Sequence, residues 1–62
     1  SLQTRIAARY CRKASPVGTV DVLYAIERID PSGRPPDLQY QQLMSFTCSG
    51  GEPTFIYREV QP

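Results

Sequence analysis

Three short breaks built from proline and glycine divide this chain and limit what it can become. The first is Ser15-Pro16-Val17-Gly18, and the second, fifteen residues on, repeats its chemistry as Asp30-Pro31-Ser32-Gly33. The third is Ser49-Gly50-Gly51-Glu52-Pro53. In the two related breaks the proline pre-sets φ for a type I turn. The Ser or Asp before it bonds to the turn backbone, and the glycine takes the positive φ that leads into the next element. The residues flanking the two copies do not match, so the echo is repeated turn chemistry and not a duplicated unit.

Breaks at strand-length intervals predict an antiparallel meander. Residues 19–29, TVDVLYAIERI, are rich in β-branched and aromatic side chains and read as a strand. With residues 4–14 they make a first hairpin around Ser15-Pro16-Val17-Gly18. The second break runs into Arg34-Pro35-Pro36-Asp37, where two prolines cannot continue a paired strand, so a longer loop is expected over 30–37. Residues 39–48 fit a strand with Tyr40, Gln42, Met44, Phe46 and Cys48 on one face and Leu43, Ser45 and Thr47 on the other. A final strand follows at 54–60.

Two segments admit a helix instead. Residues 38–46, with Asp37 as N-cap, form the alternative that would make the fold α+β. Residues 4–13 as a helix would line Arg5, Arg9 and Arg12 along one face, with Ile6, Ala7, Tyr10 and Cys11 along another. The hairpin-type turn that follows favours a strand. The expected fold is therefore mainly β: four antiparallel strands (4–14, 19–29, 39–48, 54–60). The second of these carries apolar residues on both faces, Val20, Val22, Tyr24 and Ile26 against Leu23, Ala25 and Ile29. A singly buried sheet does not need that, so the sheet is expected to curl into a small barrel or to meet another subunit.

The 62 residues form a single domain, 1–62. A chain so short buries only about 60% of the surface its unfolded form exposes and needs good packing, a staple or a partner. Its apolar fraction of 40% is patterned and not scattered, which argues against disorder. No apolar run approaches the length of a membrane span. The start, SLQTRIAARY, carries neither an initiator Met nor a hydrophobic signal core, which reads as a trimmed N-terminus.

Several kinds of chemistry have no residues to carry them. The chain has no histidine, which removes Ser-His-Asp and Cys-His catalysis and most zinc and non-haem iron sites. Its two cysteines, Cys11 and Cys48, lack metal or redox spacing. Arg12 and Lys13 beside Cys11 would lower its thiol pKa, but a thiol without a base is more often a small apolar core residue. Cys11 and Cys48 would pair if their strands adjoined, contributing about 2–4 kcal/mol, but without a sign of export two free thiols and a cytoplasmic location are expected. The carboxylates form no acid/base pair, and Gly50-Gly51 precedes no phosphate-binding helix. The expectation is a non-enzymatic module without cofactor or metal.

What remains is binding. The net charge of +1 is the balance of Arg5, Arg9, Arg12 and Lys13, a local +4, against a remainder of −3. Contact with a protein, a copy of itself or another chain, is expected from the two apolar sheet faces and from the contact area of Tyr10, Tyr24, Tyr40 and Tyr57, with Phe55 a further candidate surface residue. The alternative partner is single-stranded nucleic acid or RNA, held by Arg5, Arg9, Arg12 and Lys13 with Tyr10 stacking on a base. On a strand these residues would split between two faces, which counts against it.

Overall fold

The computed structural model describes residues 1–59. One helix, α1 (Leu2–Ala14), precedes three strands, β1 (Val20–Arg28), β2 (Asp37–Ser49) and β3 (Glu52–Arg58). The strands form one antiparallel sheet in the order β1-β2-β3. Among the described residues the sheet has three strands and is open, with neither the expected fourth strand nor a barrel-like closure. The fold is mainly β with one helix. That helix lies at the N-terminus and not at 38–46, where β2 runs instead.

The expected first strand, 4–14, is helical because its local signals agree with one another. Ser1 caps the helix, its Oγ accepting from the Thr4 N–H at 3.2 Å, and such a cap contributes about 1 kcal/mol. Arg12 and Lys13 occupy the last turn, where cations favour the negative end of the helix dipole. Gln3, Ala7 and Cys11 recur every fourth residue and are all buried, which is the helical period and not the strand period. The Ser15-Pro16 break therefore ends a helix and turns no hairpin. Ser15 takes a left-handed conformation, φ 42°, and its N–H closes on the Cys11 carbonyl.

The other two breaks behave as turns. In the β1–β2 loop, Asp30 accepts from the Ser32 N–H at 2.8 Å, and the Gly33 N–H returns to the Asp30 carbonyl. Gly50 and Gly51 both have positive φ, 59° and 77°. A two-residue loop with that geometry matches strand twist, and glycine adopts it without strain. It closes on the Ser49–Glu52 pair. β3 overlaps the expected 54–60, starting two residues earlier and ending at Arg58; Val60 falls outside the described residues.

The helix packs on one face of the sheet. Ala7, Cys11, Met44 and Phe46 are fully enclosed, ringed by Val20, Val22, Leu43, Cys48 and Phe55. Phe46 is the hub, meeting Tyr10 and Phe55 edge-to-face at ring separations of 6.2 and 5.9 Å. Such aromatic pairs contribute about 0.5–1.5 kcal/mol beyond burial. The thiols are not free: Cys11 and Cys48 form a disulfide between α1 and β2, their Cα atoms 5.4 Å apart. It is the staple that a core of this size calls for.

The body is small and the molecule long. The chain extends 50 × 26 × 16 Å with a radius of gyration of 15.0 Å, against about 11 Å for a compact domain of this length. The extra length is the outer half of the β1–β2 hairpin with its loop. β3 pairs with β2 only over residues 44–49, so beyond Met44 the hairpin leaves both β3 and the helix core behind.

Candidate interaction surfaces

Two irregularities in pairing decide which residues look outward. Val22 pairs with Met44 but Leu23 pairs with Gln42, so Leu43 is an extra residue bulged out of β2. Similarly Ser45 pairs with Tyr57 but Phe46 with Phe55, which makes Ile56 the extra residue of β3. A bulge changes which face the following residues occupy. Tyr40 and Gln42 consequently stand on the face opposite Met44, Phe46 and Cys48, whereas simple alternation placed all five together.

The helix-free face of the sheet can be followed strand by strand. β1 presents Asp21, Leu23, Ala25 and Glu27, and β2 presents Leu38, Tyr40, Gln42, Ser45 and Thr47. β3 adds Glu52, Thr54 and Tyr57. Gln42 confirms the arrangement by donating to Asp21 Oδ1 at 3.0 Å across the strands. The large apolar residues here are well exposed, Leu23 at 55% and Tyr40 at 68%. The face holds three acids, Asp21, Glu27 and Glu52, and no strand cation among the described residues.

The outer face of α1 has the opposite character. At about 100° per residue, Arg5, Arg9, Arg12 and Lys13 fall on the side away from Gln3, Ala7 and Cys11. All four are exposed. Arg12 donates to the Ala8 carbonyl within the helix, and among the described residues the only ion pair is Arg34 with Asp30, at 3.9 Å. The basic face is thus one surface, not the split one a strand would give. Beside it Leu2, Ile6 and Tyr10 form an exposed apolar stripe, and Ile6, Arg9, Tyr10 and Lys13 line a shallow groove.

Two candidate contact residues belong to the scaffold. Tyr24 lies on the helix side, its hydroxyl donating to Glu59 Oε1 at 2.9 Å, and Gln41 Nε2 donates to the same oxygen. The bond to Glu59 holds the Tyr24 phenol above its usual pKa, with desolvation and the nearby negative charge adding to it. Phe55 is half-buried against Phe46, and the Arg58 guanidinium sits 3.9 Å above its ring. Tyr57 does lie on the helix-free face. Leu23, Leu38 and Tyr40 join it there; the tyrosine content pointed to Tyr40 and the mixed faces of the second strand to Leu23, while Leu38 depends on the bulge.

Among the described residues no three metal-ligating side chains cluster, and no helix is long and apolar enough to cross a membrane. No family model, curated protein or solved structure matches the chain.

Proposed function

We propose that this chain is a non-enzymatic binding module that acts by protein–protein contact through the helix-free face of its sheet. The carrying observation is the exposure of Leu23, Leu38, Tyr40 and Tyr57 on that face and on the projecting hairpin. Sheets bury one face against a second layer. Here the helix covers only one side, and contiguous apolar area on the other side marks an interaction site. The disulfide between Cys11 and Cys48 favours an oxidising compartment over the cytoplasm, because cytosolic reductants open such bonds.

A photo-reactive phenylalanine in place of Tyr40 tests the surface. Irradiation in host extract is expected to give a discrete, saturable protein adduct, absent when Leu38→Asp is introduced as well. Adducts that neither saturate nor respond to Leu38→Asp would remove this function.

A second function, binding of single-stranded nucleic acid, is favoured by the basic face of α1. Fluorescence anisotropy with mixed-sequence DNA and RNA at low salt decides it. Binding through phosphates would weaken steeply as salt rises and lose about one unit of salt slope for each of Arg5→Ala and Arg9→Ala. No binding at low salt ends that alternative.

A further inference from the structure

The two outward surfaces of this molecule are complementary to each other. The helix face carries Arg5, Arg9, Arg12 and Lys13 beside an apolar stripe. The opposite sheet face carries Asp21, Glu27 and Glu52 among exposed Leu23, Leu38 and Tyr40. We infer that copies of this chain assemble head to tail, the outer face of α1 in one copy seated on the helix-free sheet face of the next. This specifies the partner in the protein-binding function proposed above, and rests on it.

Charge and size each support a second copy as the occupant. Contacts between like faces would set four cations against four cations, or three acids against three acids, so charge disfavours the two-fold arrangements. Unlike faces attract. Dimensions agree as well: a 13-residue helix is about 20 Å long, and the nine residues of β1 run about 30 Å, so the helix fits within the sheet. The helix would supply the missing second layer, giving each inner sheet a helix on both sides. Because the two surfaces differ and lie on opposite sides of the domain, the contact repeats and builds a ring or a filament.

Sedimentation velocity from micromolar to millimolar concentration, at low and high salt, tests this on the intact oxidised chain. Species larger than a dimer are expected to grow with concentration and to recede as salt screens the contact. Two charge-reversed chains make the test specific. One carries Arg5→Glu and Arg9→Glu, the other Asp21→Lys and Glu27→Lys. Each alone is expected to stay monomeric, at least tenfold weaker in self-association than the wild type. Mixed in equal amounts they are expected to assemble, since each now offers the charge the other lacks. Recovery on mixing also shows that both chains are folded, and unchanged circular dichroism of each supports it.

A wild-type chain monomeric at every concentration would overturn the assembly, as would a reversed chain that assembles as well as the wild type. The position-40 adduct separates the two levels. A monomeric chain that still gives a saturable adduct has a different protein as its partner; a monomeric chain without one loses the protein-binding function too.

Discussion

One hairpin, β1–β2, passes through two environments in this molecule. Its inner half lies under α1, where Met44 and Phe46 are enclosed and Cys48 is tied to Cys11. Its outer half runs into open solvent with Ile26, Leu38 and Tyr40 exposed. The β1–β2 ladder runs through both halves, but only the inner half of β2 is paired with β3 as well. That third strand, burial and a covalent tie distinguish the two. A bare two-stranded ribbon is marginal in water, so the body holds the arm in place and not the reverse.

The largest effect should come from the staple. Closing a loop between Cys11 and Cys48, 37 positions apart, contributes about 4 kcal/mol in the chain-entropy account. For a domain this small that approaches the whole stability. The double replacement Cys11→Ser with Cys48→Ser is expected to abolish cooperative thermal unfolding by circular dichroism at room temperature and above. A cooperative transition within a few degrees of wild type would mean that the helix is held by packing alone.

Next is the core against the arm. Met44→Ala removes an enclosed side chain and should cost about 2–5 kcal/mol. Leu38→Ala, on the exposed arm, should cost less than about 0.5 kcal/mol. Urea titrations of both at low protein concentration check the contrast. Equal costs would show the arm to be covered in solution. Between the two lies the β2–β3 turn: Gly51→Val forces a β-branched residue to a φ of 77° and should cost about 1–3 kcal/mol.

The smallest effects are pH-dependent and local, one at each end of the contrast. In the arm, the Ser32 backbone N–H, followed by the Ser32 side chain, holds the Asp30 carboxyl below its usual pKa. A depressed acid contributes stability above its unfolded pKa and loses it as pH falls through the folded value. Ser32 amide exchange should therefore accelerate only below the ordinary aspartate range, leaving Phe46 unchanged. Beside the body, Tyr24 is shifted upward by its bond to Glu59. Its contribution is complete below the unfolded tyrosine pKa and disappears as pH rises through the raised one. Ultraviolet titration of tyrosinate should show the Tyr24 phenol ionising late, and Glu59→Gln should bring it earlier.

The sequence disclosed this fold unevenly, for physical reasons. Residues 19–29 and the Gly50-Gly51 turn were legible because β-branched content and paired glycines have few other uses. Residues 4–13 were not, since Ser15-Pro16-Val17-Gly18 supports a hairpin turn as readily as a helix end, and the deciding cap at Ser1 lies outside that window. The free-thiol expectation rested on the lack of an export signal and not on geometry; with residues 2–14 helical, Cys11 lies against β2 and is bonded to Cys48. The basic surface could be anticipated from residue order once the helix was allowed. The apolar face could not, because Tyr40 changes sides at Leu43 and no local sequence signal marks that bulge.

The bulge at Leu43 also acts as a frame-keeper for the arm. Side chains alternate with a period of two, so the body and the arm are read in different phases on either side of it. Trimming two residues from each strand of the arm shortens the reach of the molecule and keeps every outward face. Removing Leu43 alone merges the phases, turning Leu38 and Tyr40 toward the helix side and Gln39 and Gln41 outward. For a lineage of such chains, the length of the arm is free to drift in steps of two while its polarity hangs on one residue.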